Sequence, residues 1–316
     1  MNNGTILTGF LHFRPSDKAS GRLFELILDS TDSIFVLMNS SRSDAAPIKR
    51  FEDLACLKDR IAASFGLKVA GYEKNAIVQH ALLNRLLPRI MSACRQGSIW
   101  ADFGCGDGIL ERDFNAAVND NNKNTIIGFD ISRNSLAYCR QKSGDKSSWV
   151  CADIDHSPLK PSSLDGLVCA SVLQWSSDIK QAISNISAHL KPKGIFIFSL
   201  FVEGSFHELF ETKRACGMTD PMIFVPSSDI EAYLDAAGFI DKEIEQYTRT
   251  VYFTSAWQLL RNMSATGSTG AFSRHMSRSE LEQLCRLYEK NFRTDKGVPL
   301  TYNAFMGSAL KGGYYG

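Results

Sequence analysis

Five short apolar runs alternate with helix-like segments between residues 98 and 200, and this alternation limits the folds that the chain can adopt. The runs are almost continuously hydrophobic, as in "NTIIGFD" and "GIFIFSL", which suits strands covered on both faces of a sheet. One intervening segment has apolar residues at helical spacing, namely Ile179, Ile183, Ile186 and Leu190. Strands that alternate with helices predict an α/β fold with a doubly wound, mainly parallel sheet.

Two further strand candidates, "IEQYTRTVYF" and "TYNAFMGSALK", bring the predicted sheet to seven strands. Between them, from about residue 254 to about residue 295, lies an insertion with two helix candidates around a Gly/Ser/Thr-rich loop. An insertion of this length beside a sheet end is typical of a substrate cap. Two S-x-x-E spacings predict capping boxes, one at Ser228 with Glu231 and one at Ser277 with Glu280.

The part of the chain that precedes the sheet divides at about residue 57. Residues 1–57 are expected to be an N-terminal extension with no assigned role, and residues 58–316 the main domain. Helices with interruptions at Gly66 and Gly71 are expected before the first strand, because glycine is a poor helix former. The segment "KPKG", residues 191–194, is expected to end the helix before the fifth strand, because proline and glycine are poor continuers of a helix.

Charge and cysteine usage exclude several classes of function. The chain has 35 Lys+Arg and 34 Asp+Glu, so its bulk charge gives no attraction to nucleic acid or to an anionic membrane. The eight cysteines form no C-x-x-C pair, and no metal site is expected. No apolar run approaches the roughly 20 residues that cross a bilayer, and the first residues lack the pattern of a signal peptide. A reducing cytoplasm is the expected location.

A glycine-rich turn, "DFGCGDG", follows the first strand candidate. A strand, a glycine-rich turn and a helix form a cradle for a nucleotide-like ligand. The dinucleotide fingerprint G-x-G-x-x-G fails in both registers, because Ile109 and Glu111 stand where its last glycine would be. An acid beside the turn, Asp102, suits a cationic ligand and would repel a pyrophosphate.

The same seven residues resemble motif one of the class I S-adenosylmethionine-dependent methyltransferases. That resemblance implies S-adenosyl-L-methionine as methyl donor, with S-adenosyl-L-homocysteine as product. Asp130 ends the second strand, where an acid can accept both hydrogen bonds of a ribose diol, and the family implies that Asp153 and Ile154 face adenine. An N-cap is the alternative role for each acid. The cofactor-binding residues expected on this basis are Tyr72, Gln79, Asp102, Gly104, Cys105, Gly106, Asp130, Ile131, Asp153, Ile154 and Ala170.

From Arg60 to Lys311 the chain resembles the malonyl-acyl-carrier-protein O-methyltransferases of biotin synthesis. The matching stretches are "IAASFGLKVAGYEKNAIVQ", "VLQW", "LFVEGSFHEL" and "PLTYNAFMG". Arg261, Gly267 and Thr269 also keep the spacing of that family. The resemblance implies methyl transfer to the free carboxylate of a malonyl group on acyl-carrier protein, which gives the methyl ester primer for pimeloyl synthesis.

Such a reaction needs no general base, because a carboxylate is already ionised at neutral pH. No catalytic residue is therefore predicted, and orientation and desolvation are expected to supply the rate. Tyr72 and Trp175 are candidates for the surroundings of the methyl group, since aromatic faces stabilise a sulfonium. Arg261 is the candidate for the substrate carboxylate, with a surface arginine as its alternative. The expected substrate-binding residues are Arg261, Gln174, Trp175 and Tyr302.

A basic cluster in the insertion, Arg274, His275 and Arg278, could meet an acidic carrier protein or form a solvated face. Three other functions stay open at the level of sequence. The "VPLTY" ending is also similar to that of complex I assembly factors, some of which are hydroxylases. A carboxyl methyltransferase acting on a small free acid would need no carrier-protein surface, and a non-catalytic cofactor-binding scaffold would keep the glycine turn.

Overall fold

Seven strands form one sheet in the computed structural model, which describes residues 48–117, 124–143, 147–218, 223–268 and 276–313, with side chains from Lys58 onward. The first five strands match the five apolar runs, and the last two match the two later candidates. The strands are β1 (Ile99–Phe103), β2 (Thr125–Asp130), β3 (Ser148–Cys151), β4 (Leu164–Ala170), β5 (Leu190–Phe201), β6 (Phe239–Phe253) and β7 (Val298–Lys311).

The strand order is β3-β2-β1-β4-β5-β7-β6, and β7 is antiparallel to both of its neighbours while the other pairs are parallel. The predicted doubly wound, mainly parallel sheet is therefore confirmed. The chain proceeds outward from β1 to β3 and then returns to β4 on the other side of β1. In such sheets ligands bind beyond the carboxyl ends of the strands at this reversal of strand order.

Helices cover the sheet and connect its strands. None of the helices in the described part of the chain is long and apolar enough to cross a membrane. They are α1 (Ile48–Asn75), α2 (Ile77–Ala93), α3 (Ile109–Ala117), α4 (Arg133–Ser143), α5 (Ile179–His189), α6 (His207–Ala215), α7 (Ser227–Ala236), α8 (Ala256–Ala265) and α9 (Arg278–Phe292).

The predicted interruptions of the first helix are wrong, because α1 continues through both Gly66 and Gly71. A Cβ on Gly66 would lie 2.3 Å from Ser132 Oγ and 2.9 Å from the Cβ of Asn134. Glycine at this point lets α1 approach the start of α4 closely, and the packing offsets the poor helix propensity of glycine. Helix α1 begins at Ile48, so the predicted boundary at residue 57 falls inside this helix, whereas residues 1–47 lie outside the described part of the chain.

One predicted capping box is correct and the other is wrong. Ser277 caps α9 through its side chain and Glu280 returns the hydrogen bond, as the spacing predicts. At α7 the N-cap is Pro226, which makes no side-chain cap, and Ser228 lies inside the first helical turn. With Pro226 as the N-cap, the helix begins at Ser227, two residues earlier than a capping box at Ser228 requires.

The helix before the fifth strand ends next to the "KPKG" segment, residues 191–194, as predicted. Helix α5 ends at His189, and Leu190 already pairs with Leu164 at the start of β5. A register shift between Leu164 and Gly166 absorbs the extra residues of β5. Such a bulge accommodates Pro192, which cannot donate a ladder hydrogen bond.

Two buried tryptophans lie over glycines of neighbouring strands. A Cβ on Gly166 of β4 would lie 2.3 Å from the ring of Trp100, and a Cβ on Gly128 of β2 would lie 2.5 Å from the ring of Trp149. Trp100 is 1% exposed and belongs to the main hydrophobic core, which also includes buried side chains of α2, α8 and α9. The central strands therefore pack large rings against bare backbone.

Candidate functional site

A cavity of about 1020 Å³, its open mouth included, lies at the carboxyl ends of the central strands. Ends of β1, β2 and β4 contribute to it, as do α1 and the turns after β3 and β4. This is the reversal point of the strand order, where the fold predicts a ligand. The lining includes these sequence-predicted residues: Tyr72, Gln79, Gly104, Gly106, Asp130, Ile131, Asp153, Ile154, Ala170, Gln174 and Trp175.

The glycine turn is folded tightly against the end of β2. The backbone N–H groups of Gly104 and Cys105 both donate to the carbonyl oxygen of Phe129, at 2.7 and 3.0 Å. Gly104 has φ +74°, and a Cβ there would lie 2.1 Å from Cγ2 of Val172. Only glycine satisfies both the backbone angle and the close approach. The turn thus leaves bare backbone facing the cavity.

Asp130 is held in place by the backbone of two loops. Its Oδ2 accepts from the N–H of Gly106 at 3.1 Å, and its Oδ1 accepts from the N–H of Ser132 at 2.7 Å. Burial raises the pKa of the Asp130 carboxyl to about 6, against the lowering effect of these two hydrogen bonds. The acid therefore titrates close to neutrality with a fixed orientation toward the glycine turn.

Asp153 both caps a short helical turn and lines the cavity. Its Oδ1 accepts from the N–H of Asp155 at 3.1 Å, which is the N-cap role that the sequence left open. The same Oδ1 accepts from Nζ of Lys58 at 2.7 Å. Ile154, the next residue, is buried and also lines the cavity. The Asp153 side chain thus serves as the N-cap of the short helical turn and also forms part of the cavity wall.

Three aromatic rings stand together in the wall. The ring of Phe65 lies 6.3 Å from that of Tyr72 and 5.4 Å from that of Trp175, both edge-on. Tyr72 in turn contacts the ring of His80 at 5.8 Å. Phe65 therefore links the two rings that the sequence suggested for the surroundings of a methyl group, although they are about a hundred residues apart.

Two buried polar atoms in the cavity wall have no hydrogen-bond partner in the described structure. They are the Oε1 of Gln174 and the Oγ of Ser171. The Nε2 of Gln174 donates to the carbonyl oxygen of Ser171 at 2.8 Å, which fixes the amide. Buried polar atoms are normally paired, so these two are suited to polar groups of a ligand.

Four predicted site residues lie outside the cavity lining. Arg261 is exposed on α8, and Tyr302 lines a separate small cavity with Asn262 and Asn75. Cys105 and Asp102 are buried beneath the glycine turn. Burial raises the pKa of Asp102 well above its usual range, and neighbouring Glu111 and Asp130 raise it further. The motif acid is therefore buried behind the lining, and the two carboxyl side chains of the lining are those of Asp130 and Asp153.

The sequence reasoning assigned no role to several residues of the lining. Lys58 and Phe65 come from α1, whereas Phe201, Phe206 and Phe224 form an aromatic wall on the side of β5. The Phe206 ring lies 6.0 Å from that of Phe201 and 5.4 Å from that of Phe224. Phe65, Phe201 and Phe206 lie in stretches that match the family, whereas Lys58 and Phe224 lie outside them, and only the tertiary fold brings all five residues to one cavity.

Other candidates of the insertion are placed only in part. Thr269, Arg274 and His275 lie outside the described residues. Arg278 is exposed at the start of α9 and pairs with Glu282 at 3.0 Å. Within the described ranges, no group of three His, Cys, Asp or Glu side chains is arranged to hold a metal ion.

Comparisons with known proteins agree with this architecture. Residues 101–198 match the family model described as "Methyltransferase domain". The YcgJ protein of Bacillus subtilis superposes with a TM-score of 0.53 at 15% identity, over 72% of this chain and 99% of that one. The matched domain and the fold define the class: residues 101–198 form a methyltransferase domain within a class I Rossmann-like sheet.

Curated relatives give the nearer resemblance. The chain is 28% identical over 265 residues to the biotin biosynthesis bifunctional protein BioHC of Cellvibrio japonicus, covering 81% of this chain and 51% of that protein. It is 27% identical to the malonyl-[acyl-carrier protein] O-methyltransferase of a Methylovorus species, covering 80% of this chain and 89% of that one. The chain thus spans about half the length of the bifunctional relative. The resemblance stated from the sequence is confirmed.

Proposed function

We propose that the protein transfers the methyl group of S-adenosylmethionine to the free carboxylate of a malonyl thioester carried on acyl-carrier protein. The observation that carries this proposal is the extent of the similarity. The relatives named for malonyl-acyl-carrier-protein methylation match about 80% of the chain, whereas the methyltransferase domain model covers only residues 101–198. The similarity therefore includes segments outside the cofactor-binding core, where acceptor specificity is set. The product would serve biotin synthesis in the cytoplasm.

The residues of the cavity fit the methyl donor. Gly104, which has no Cβ, lets the turn pack directly against Val172. Asp130 offers a fixed carboxyl to a ribose diol. The unpaired atoms of Gln174 and Ser171 lie near Ala170, where the methionine portion would extend. Asp153 and Ile154 would take the adenine. We assign these roles as parts of the proposal.

When bound, S-adenosylmethionine supplies an electrophilic methyl group on a positively charged sulfur. The chain's own contribution is position and exclusion of water. The acceptor carboxylate has a pKa near 4 and is ionised at neutral pH. The cluster of Phe65, Tyr72 and Trp175 offers ring faces to the cation, and the aromatic wall removes water from the acceptor. Alignment of this kind supplies about 7–11 kcal/mol of a barrier.

Recognition of the malonyl group is assigned to the cap side of the cavity. Arg261 on α8 is proposed to hold the carboxylate, because a guanidinium fixes carboxylate geometry through paired hydrogen bonds. Gln174, Trp175 and Tyr302 complete the proposed acceptor side. The basic cluster with Arg278 is proposed to face acyl-carrier protein. Residues 254–295 would then form the cap of the main domain, with residues 1–57 as an extension.

The test is an assay of methyl transfer with the full chain and methyl-labelled S-adenosylmethionine. The acceptors are malonyl-acyl-carrier protein, malonyl-coenzyme A and free aconitate, with acetyl-acyl-carrier protein as the matched control that lacks a free carboxylate. Base-labile label on the malonyl carrier but not on the acetyl carrier is the expected result. Label on aconitate alone would identify a free-acid methyltransferase. Bound cofactor without label on any acceptor would favour a scaffold or a hydroxylase.

A further inference from the structure

Helix α1 lies along the cavity for about four turns. Its lining residues are Lys58, Ile61, Phe65, Val69 and Tyr72. Their spacing of three and four residues puts them on one face of the helix, and at 1.5 Å per residue the face spans about 21 Å. One element therefore reaches from Asp153 at one end of the cavity to the aromatic cluster at the other.

Lys58 fastens the first of these ends to two carboxylates. Its Nζ lies 2.7 Å from Oδ1 of Asp153 and 2.9 Å from Oδ2 of Asp155. The three side chains are 16%, 21% and 9% exposed, so the group is largely shielded from solvent. Asp155 also accepts hydrogen bonds from the Oγ atoms of Ser176 and Ser177. A shielded, multiply bonded network of charges is stronger than an exposed ion pair.

The arrangement leaves the two oxygens of Asp153 with different duties. Oδ1 accepts from both Lys58 Nζ and the N–H of Asp155. Among the described contacts, the neighbour of Oδ2 is Nδ1 of the exposed His156 at 3.8 Å, which is too far for a hydrogen bond. Lys58 therefore fixes the carboxylate plane while Oδ2 keeps its capacity to accept.

We propose that Lys58 is a positioning residue for the purine end of the cofactor: it orients Asp153 so that Oδ2 receives the exocyclic amine, and it links that contact to α1. This inference rests on the cofactor placement of the proposed function. It is argued from the ion pair between Lys58 and Asp153, the acid proposed to face adenine, and from the position of Lys58 on the helix that carries Phe65 and Tyr72.

The middle of α1 is held by contacts that do not involve Lys58. Oγ of Ser64 donates to the carbonyl oxygen of Gly267 at 3.0 Å, and Phe65 contacts Trp175. Loss of the Lys58 contact should therefore loosen the purine end while the aromatic cluster keeps its own support. The consequence is a defect in binding of the adenosine portion, which adenosine alone should report.

The experiment compares Lys58→Met, Lys58→Arg and Lys68→Met in the full chain. Lys68 is exposed on the same helix and serves as the matched control. Calorimetry with S-adenosylhomocysteine and with adenosine should show about tenfold weaker binding of both ligands to Lys58→Met, as expected for loss of a shielded charged contact. Lys58→Arg should bind within about twofold of the parent chain because it keeps the charge. Lys68→Met should be unchanged.

Stopped-flow dissociation and thermal unfolding without ligand separate positioning from folding. The proposal is supported if Lys58→Met releases S-adenosylhomocysteine faster than Lys58→Arg does while the two variants unfold at the same temperature. Unchanged affinity in Lys58→Met overturns it, as does an equal loss in Lys58→Arg or Lys68→Met. If the methionine variant unfolds too early to measure, Lys58→Gln takes its place, because it removes the charge but keeps a polar side chain: binding by Lys58→Gln equal to that by Lys58→Arg overturns the proposal.

Failure of the proposed acceptor would look different. A chain that binds S-adenosylhomocysteine but does not methylate malonyl-acyl-carrier protein contradicts the assigned substrate, while the comparison of ligand affinities still decides the role of Lys58. A parent chain that binds neither S-adenosylhomocysteine nor adenosine overturns both.

Discussion

The two sides of the cavity are built in different ways. The side proposed to hold the cofactor, called the cofactor side, is formed largely by backbone and short polar side chains that lie within 75 residues of sequence, from Phe103 to Trp175, at the ends of adjacent strands. The opposite side is an aromatic wall of Phe201, Phe206 and Phe224, which share a hydrophobic core with buried residues of α8 and α9. Backbone geometry tolerates little change, whereas a wall of side chains can be varied in volume. Substitutions on the two sides should therefore have separable effects.

The largest effect is expected from Gly104→Ala on the cofactor side. The new Cβ would meet Val172 at 2.1 Å in a backbone conformation with φ +74°. Strain and overpacking of a few kcal/mol should weaken S-adenosylhomocysteine binding by roughly a hundredfold in calorimetry. Gly97→Ala is the matched control, because Gly97 has φ +75° with nothing within 4 Å of a Cβ. Equal loss of binding in the control would contradict the argument from the close approach.

Arg261→Ala should break the acceptor side alone. We expect the KM for malonyl-acyl-carrier protein to rise roughly thirtyfold, which corresponds to loss of one charge-assisted contact of about 2 kcal/mol. Binding of S-adenosylhomocysteine should stay within twofold of the parent, by about 0.4 kcal/mol or less. Arg95→Ala is the control, since Arg95 is exposed ahead of the amino end of β1. If Arg261→Ala weakened both ligands equally, the arginine would not belong to the acceptor side.

A pH dependence should mark the cofactor side through Asp130. Burial raises the pKa of this carboxyl to about 6 in the ligand-free protein. Ribose hydroxyls donate to the ionised form, so below that pH binding must first expel a proton. Affinity for S-adenosylhomocysteine should therefore fall as pH falls, by about tenfold per unit below the pKa.

Calorimetry between pH 5 and pH 8, intervals of about one unit being sufficient, checks this dependence. Asp130→Asn should bind S-adenosylhomocysteine more weakly at neutral pH, and its affinity should no longer fall as the pH drops below about 6. Glu111→Gln is the control, because burial raises the pKa of Glu111 to about 8 but its side chain does not line the cavity. If the affinity of Asp130→Asn still fell at low pH, the titrating group would be one other than Asp130.

The smallest effect is expected at helix α9, where Ser277→Ala removes a capping box. Unfolding free energy should fall by about 1 kcal/mol, with no change in S-adenosylhomocysteine binding. Ser228→Ala has the same sequence spacing without the capping hydrogen bond and should cost less than about 0.5 kcal/mol. Chemical denaturation of both variants measures the difference, and equal losses would contradict the observed helix starts.

The sequence predicts the cofactor side better than the opposite side because local features encode it. The sheet, the glycine turn, Asp130 and Asp153 all follow from strands that end in acids or glycines. The continuity of α1 does not follow from local features. It depends on the close approach of Gly66 to Ser132, and helix propensity takes no account of such a tertiary contact. The second capping box fails because Pro226 competes for the start of α7.

The aromatic wall shows the limit most clearly. Phe201 ends a strand, Phe206 precedes a helix, and Phe224 comes from a separate segment. Their rings meet because β5 and β7 bring distant parts of the chain together, with Tyr302 5.4 Å from Phe201. From sequence alone, hydrophobic residues at such positions cannot be distinguished from ordinary core residues. The role of Lys58 is equally hidden, because its partners Asp153 and Asp155 lie about a hundred residues away.

The tryptophans that lie over Gly128 and Gly166 give the sheet an intrinsic optical probe. Trp100 and Trp149 are buried against the strands, Trp175 lines the cavity, and Trp257 is partly exposed. Ligand entry should perturb the emission of Trp175, whereas unfolding should transfer both sheet indoles to water together. Phenylalanine at position 257 would remove the exposed background signal. Fluorescence could then distinguish loss of a ligand from loss of the β1–β2–β4 scaffold in the same unlabelled sample.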